Sequence, residues 1–347
     1  MNKYIMILLT FLLLNLISCN ITEPPDKNNK QEPTSHDFTW QKFYFGELGT
    51  SEINDIVVIN ENNIWAVGTI WYPDSLNPND VQFFNGVHWD GYNWKLLKIP
   101  FKVSRYNNEL LPDPLKSIFA LNSDNIWFTN GFQIVNMIGN QYGDWKFLSG
   151  EINKLGGSNE TVWAAGKNSN LFKKNINDGN WQKINVDKPG DILDVFGIVN
   201  SNNGKKIYMP LINWDDIKEN YIMEVDNNSK ITFFKSAQRL IASVWTKSGF
   251  PVYLAGDGIF ENIEGYWKEI NYGAKKFIER IRGNDLNDIL AAGAWGTVAH
   301  YNGEDWKTYP ELEMDGNYKA LSYKDNIAAI AGIEGARAVV VIGIRKK

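Results

Sequence analysis

From residue 38 onward the chain is a succession of short β-prone runs separated by Asn, Asp and Gly. Between Lys116 and Ser149 the runs are "KSIFAL", "NIWFTN", "QIVNMIG" and "WKFLS", each five to seven residues long. Runs of that length, rich in Ile, Val, Phe and Trp and bounded by turn formers, predict strands. No segment beyond residue 38 carries the 3.6-residue period of an amphipathic helix. The expected fold class is all-β.

The second run of the group returns along the chain as "NNIWAVG" (Asn62 to Gly68), "DNIWFTNG" (Asp124 to Gly131), "ETVWAAG" (Glu160 to Gly166), "KKIYMP" (Lys205 to Pro210), "FPVYLAG" (Phe250 to Gly256), "NDILAAG" (Asn287 to Gly293) and "DNIAAIAG" (Asp325 to Gly332). The anchor positions Trp65, Trp127, Trp163, Tyr208, Tyr253, Leu290 and Ala328 are spaced by 62, 36, 45, 45, 37 and 38 residues. A period near 40 is that of a four-stranded propeller blade. A second phrase precedes the fourth run, in "DGYNW" ending at Trp94, "YGDW" at Trp145, "DGNW" at Trp181, "EGYW" at Trp267 and "NGEDW" at Trp306. Asn or Asp with Gly suits a tight hairpin, and the Trp that follows opens the outer strand and covers the neighbouring sheet. These Trp residues are read as packing.

The segment from Asn287 to Trp306 resembles the bacterial propeller repeat of pattern Asp-x-Trp-Ala-x-Gly followed by Gly-Thr-Ile-x-His-Tyr-Asn-Gly-x-x-Trp. Asp288, Ala291, Gly293, Gly296, Thr297, His300, Tyr301, Asn302, Gly303 and Trp306 match it, with Leu290 in place of Trp and Val298 in place of Ile. The likeness is looser elsewhere and spans most of residues 38–347. It is also similar to the Asp-box turns of sialidase-like propellers, although the Ser-x-Asp-x-Gly-x-x-Trp form is incomplete in every copy. The last unit ends without a Trp strand, whereas "FTWQKFYF" (Phe38 to Phe45) stands alone ahead of the first unit. Pairing the two predicts a seven-bladed β-propeller closed by an N-terminal strand that completes the last blade and leaves no open sheet edge. Six or eight blades is the alternative, because the fourth unit has Phe233-Phe234 where the others have Trp.

The N-terminus is a targeting segment. Lys3 precedes an apolar run from Ile5 to Leu14, too short to span a bilayer and right for a signal-peptide core. Leu16-Ile17-Ser18-Cys19 resembles the bacterial lipobox, and Cys19 is the only cysteine in the chain. That resemblance implies a lipoprotein signal peptide over 1–18, lipidation at Cys19 and a membrane anchor that does not span. With Asn20 rather than Asp after the cysteine, it implies an outer-membrane address in the cell envelope. Residues 19–37, with Pro24, Pro25 and Pro33 among polar side chains, read as a disordered tether, and 38–347 as the propeller domain.

Composition narrows the function. A net charge of −5 with scattered basic residues gives no footprint for nucleic acid. The three histidines, His36, His88 and His300, have no metal-site spacing around them, and no nucleophile elbow, phosphate loop or dinucleotide fingerprint is present. No catalytic residue, metal or cofactor is therefore assigned. The departures from the repeat are "WYPDSLNPND" (Trp71 to Asp80), "FKVSRYNNELLPDP" (Phe101 to Pro114) and "NWDDIKEN" (Asn213 to Asn220). The first and third fall between second and third strands and the second falls between blades, so all three are expected on one rim. They supply the candidate ligand-binding residues Trp71, Tyr72, Arg105, Tyr106, Trp214, Asp215 and Asp216, with Trp295 from the equivalent turn of the sixth unit. Aromatic rings beside carboxylates suit stacking on sugars or gripping a peptide. The expected function is a monomeric, non-enzymatic binding or scaffold module for a protein or glycan. The alternative is a carbohydrate-active enzyme of the sialidase-like or glycosyl-transferase kind, since propellers resembling this one include enzymes and paired carboxylates serve glycosidase chemistry.

Overall fold

Seven sheets radiate around one axis, each with its first strand innermost. The computed structural model describes residues 31–75, 77, 80–158, 160–177, 179–199, 205–248, 251–263 and 265–346. The signal-like segment, Cys19 and the tether as far as residue 30 lie outside the described residues. Blades 1 to 6 run from 52 to 97, 117 to 147, 152 to 183, 191 to 235, 241 to 270 and 278 to 308, each antiparallel in simple sequence order. Blade 7 takes Gly316–Lys324, Ile327–Glu334 and Arg337–Arg345 from the C-terminal end and Phe38–Phe45 as its outer strand. The inner strands touch in chain order and the last touches the first, which makes the ring seven-bladed and closed.

Closure follows the predicted pairing in register, with Phe38 opposite Arg345 and Phe45 opposite Ala338. Trp40 lies opposite Gly343, and its ring covers that glycine so closely that a Cβ there would meet it at 2.1 Å. Blade 4, whose unit deviates most in sequence, is complete: Ile231–Lys235 is its outer strand, with Phe233 packed inward. Its inner strand is broken into Asp191–Ile192 and Phe196–Val199.

The core is a ring of interfaces with no single centre. Among the described residues, seven buried hydrophobic clusters each lie between adjacent blades. One joins Trp163 and Leu171 of blade 3 to Ile207 and Met223 of blade 4, and another joins Trp245 of blade 5 to Ile281 and Ile289 of blade 6. A wholly buried second strand such as Asp288–Gly293 follows from this, because both of its faces meet a neighbouring sheet.

The glycine that closes the recurring second run has a specific cause. The inner strands of blades 1, 3, 5, 6 and 7 shift register near their start, between Ile53 and Asp55 in blade 1 and between Ile278 and Arg280 in blade 6. Each irregularity pushes a carbonyl against that glycine: a Cβ on Gly68 would lie 2.1 Å from the Glu52 oxygen, and one on Gly293 2.2 Å from the Phe277 oxygen. The glycines are thus backbone spacers, consistent with the reading of the repeat as architecture. The bulges also re-aim the residue after them. Asp55, Lys154, Ser243, Arg280 and Ala320 hold that position, and Ser117 in blade 2 and Asp194 in blade 4 complete the same level of the ring.

Candidate functional site

Strands alternate in direction, so the connections from second to third strand and from blade to blade share one rim, and the other turns share the opposite rim. The long connections meet on the first. Asn63–Pro73 and Val81–Trp89 extend the blade 1 hairpin beyond the body of the sheet. Pro100–Ser104 and Asn107–Pro112 form an extra hairpin between blades 1 and 2. Ile217–Glu219 makes a single 3-10 turn in the blade 4 connection.

The predicted rim residues divide by environment. Tyr106, at the tip of the extra hairpin, is 98% exposed, and the guanidinium of Arg105 beside it lies over Phe147. Trp214 is 58% exposed and its indole N–H donates to Asp191 at 2.8 Å, so the ring is aimed while its face stays open. Trp295 is 56% exposed, adopts φ +58° in its turn, and has Lys276 Nζ 5.8 Å from its ring centroid. A bulky residue in the left-handed region is an outlier, the region being eased mainly for Gly, Asn and Asp; the corresponding turn of blade 3 has Asn168 at φ +52°.

Trp71 and Tyr72 are held differently. Trp71 is half-buried in the strand against Phe83, with ring centroids 4.6 Å apart, and its carbonyl accepts from Glu47 and Leu48. Tyr72 packs against the apolar interface of blades 7 and 1. Both join loops together. Asp216 accepts from the Lys218 N–H as the cap of the 3-10 turn, and Asp215 is exposed beside it. The eight positions are therefore spread over the rim, from blades 1 and 2 through blade 4 to blade 6.

Pattern reading did not single out Phe132, 62% exposed on the same rim in blade 2, or Leu110 and Leu111 on the extra hairpin, 40% and 53% exposed. An apolar residue in a short turn, as in the "NGFQ" of residues 130–133, was the available signal.

It also passed over the charged groups of the central channel. Asp55 accepts from Lys154 Nζ at 2.6 Å, Ser117 Oγ at 2.5 Å and the Ile118 N–H at 3.0 Å, which ties blade 1 to blades 2 and 3. Three blades on, Asp194 accepts from Ser243 Oγ at 2.6 Å and from both terminal nitrogens of Arg282 at 2.7 and 2.9 Å, which ties blade 4 to blades 5 and 6. The same Asp-Ser-cation device thus occurs twice. Arg280 occupies the ring position equivalent to Lys154, but Arg282 makes the pair with Asp194.

Burial alone would raise the Asp194 carboxyl, but the charges of Arg282, Arg280 and Lys154 hold it well below the usual carboxylate range. Burial pulls Lys154 below the usual lysine value in spite of Asp55. Beside Arg280, burial raises Glu279. A cavity of about 310 Å³ lies below this level toward the opposite rim, lined by Lys154, Arg282, Phe119, Phe196 and Ser322. Asp55 and Asp194 are both occupied by hydrogen bonds, so the network reads as inter-blade fastening.

Fold and geometry define the class as a closed seven-bladed β-propeller. No protein-family model matches the chain, and no curated protein matches it. Solved structures do. The chain is similar to YCF48 bound to a D1 peptide, at 11% identity over 90% of this chain and 100% of that one, with a TM-score of 0.63. It is also similar to YCF48 from Cyanidioschyzon merolae, at 13% identity over 88% and 98% of the two chains and a TM-score of 0.60. A third is the WD40 β-propeller domain of Doa1, at 13% identity, 89% and 98% coverage and a TM-score of 0.59. At these identities the likeness is one of fold.

Proposed function

We propose that this protein is a non-enzymatic binding or scaffold module of the bacterial envelope, anchored by lipid at Cys19, that holds a protein or glycan partner on its long-loop rim. The observation that carries the reading is the set of exposed aromatic rings on that rim, Tyr106, Trp214 and Trp295, two of them oriented by a hydrogen bond or a constrained turn. Rigid aromatics at low entropic cost are the usual anchors of recognition surfaces. A propeller solved with a bound peptide, YCF48, supports the choice of a binding role for this architecture. On the carboxylate side, Asp216 accepts from the Lys218 N–H as the cap of the 3-10 turn, a structural use of one member of the pair at residues 215 and 216.

The first described residues add an orientation to this reading. Thr34 donates its N–H to the Asn302 carbonyl and its hydroxyl to the Asn287 carbonyl, and both acceptors lie in blade 6 turns of the rim opposite the long loops. In an anchored molecule the point of attachment at residue 33 would then lie away from the aromatic rim.

The test is a pull-down from envelope extract and a glycan array, run with Tyr106→Ala, Trp214→Ala and Trp295→Ala beside the parent chain. Each anchor that contacts the partner is expected to lose about 2 kcal/mol of binding or more. In parallel, a fatty-acid analogue should label the parent and not Cys19→Ala. Unchanged binding in all three rim variants rejects the rim as the site, and equal labelling rejects the anchor.

A further inference from the structure

The N-terminal segment is held to blade 6 by a chain of four groups. His36 Nδ1 lies 2.8 Å from His300 Nδ1, His300 Nε2 lies 2.9 Å from Asp288 Oδ1, and His36 Nε2 lies 3.1 Å from Asp305 Oδ1. His300 is fully buried in the third strand of blade 6, while Asp305 sits in the exposed turn before its outer strand. The rings meet edge to face at 4.9 Å.

Proton counting constrains this chain. A carboxylate only accepts, so each Nε2 must carry a hydrogen to bond its Asp. Two Nδ1 atoms at 2.8 Å need one hydrogen between them. Three protons on four ring nitrogens is one more than two neutral imidazoles hold, and the count is the same whichever ring carries the extra proton. With two protons one of the three contacts loses its hydrogen. With four, two N–H groups point at each other.

We propose that His36 and His300 form a proton-dependent clasp that fixes residues 33–37 to blade 6 while the pair carries one positive charge, and frees them when a second proton binds. The surroundings favour a single charge. Asp288 also accepts from Tyr323 OH of the blade 7 inner strand at 2.6 Å, from Arg345 of its third strand at 2.6 Å and from Asn284 at 3.0 Å. Burial alone would raise its carboxyl, yet those bonds and the Arg345 charge keep it below the usual range and therefore ionised. Burial pushes His300 below the usual histidine range despite Asp288, and the charges of His36 and Arg345 act in the same direction. On the other side of the segment, Asp37 pairs with Lys346 at 3.3 Å and Tyr309 OH donates to the His36 carbonyl at 2.9 Å, with Lys307 over the Tyr309 ring.

The sign follows from linkage. Once the segment is freed the two rings no longer face each other and both can protonate below the ordinary imidazole value of about 6.5, whereas the closed clasp holds only one proton beyond those of two neutral rings. Below that value acid therefore favours opening, one proton of difference making the opening constant grow about tenfold for each pH unit, whereas above it the freed rings are neutral and closing takes up the proton. The device sits where the chain joins the propeller, and the proposal holds whether or not Cys19 is lipidated.

Amide exchange of the full-length chain between pH 5 and 8 tests it, read as the protection of Thr34, whose N–H bonds to Asn302, relative to core amides of the same sample. Protection is expected to fall about tenfold per pH unit below pH 6 in the parent chain. In His36→Gln, a change in the half-buried terminal segment outside the propeller strands, it should lose that dependence, with the core amides of the same sample reporting that the fold is kept. Imidazole nitrogen resonances should show the pair taking up one proton over the range in which two independent histidines take up two. Thr34 protection that is flat from pH 5 to 7.5, a parent-like profile in His36→Gln, or two histidines titrating independently near pH 6.5 would each overturn the proposal.

Discussion

Asp194 and Asp215 are twenty-one residues apart in sequence and belong to the same blade, yet one lies at the hub of the ring and the other on its rim. At the hub the carboxylate is wholly buried and accepts from Ser243, Arg282 and the backbone, so its charge is compensated by residues of two other blades. On the rim the carboxylate is exposed beside a tryptophan whose face is open. Aromatic rings divide the same way: Trp127 and Trp163 are 1% and 2% exposed between blades, against 58% for Trp214. The contrast teaches that residue type says little about role in a repeat fold. What separates a fastening group from one left available is whether a neighbouring blade has already engaged it.

The largest expected effect removes the fastening altogether. Deleting Phe38–Phe45 leaves Arg337–Arg345 as an unpaired edge and uncovers the interface between blades 6 and 7, where Phe38 packs on Tyr309 and Tyr323. Loss of the cooperative melt is expected, whereas deleting residues 20–30 should leave the melting temperature unchanged within error; scanning calorimetry distinguishes the two. The next effect compares the two carboxylates directly. Asp194→Ala strands Arg282 beside the hub and should destabilise by about 3 to 5 kcal/mol, while Asp215→Ala should stay within about 0.5 kcal/mol. Equal denaturation midpoints would erase the distinction between hub and rim.

The smallest effect sharpens the rim side of the comparison. Trp295→Asn places in the left-handed turn a residue that tolerates it, as Asn168 does in blade 3. A gain of about 0.5 to 1 kcal/mol in stability is expected, together with loss of partner binding if the proposed rim is the binding face. A variant that is less stable than the parent would show that the indole contributes packing rather than display.

Much of this architecture was legible because the repeat writes it in local order. The second-strand phrase, its terminal glycine and the Asn/Asp-Gly turn before each outer-strand Trp are contiguous features, and the orphan run at Phe38–Phe45 is visible as a strand without a partner. Even the degenerate fourth unit conformed: Ile231 stands at the register position that Trp181 and Trp306 hold in blades 3 and 6, and Phe233 packs beside it on the same interface. The channel was not legible for a physical reason. Asp55 and Lys154 are 99 residues apart and meet only because their bulges fall at the same level of the ring. A carboxylate within "NDIVV" or "LDVFG" is a visible break in an apolar run, but its partner is set by closure. The rim was half legible. Counting residues placed the long connections on one side, yet nothing in "WYPD" distinguishes a Trp leaning on Phe83 from one facing solvent.

The strand that closes the ring is made first and paired last. In every other blade the outer strand folds back on a neighbour through a short hairpin, so each can form soon after it is synthesised. Phe38 must instead find Arg345, 307 residues later. The entropy of closing so long a loop exceeds that of a ten-residue hairpin by about 3 kcal/mol. The emerging chain can thus accumulate six blades without completing its ring, and its final barrier is a long-range contact of the kind that slows folding in β proteins. Until then the edge at Arg337–Arg345 is open to any other strand, and the same opening allows two chains to exchange first strands.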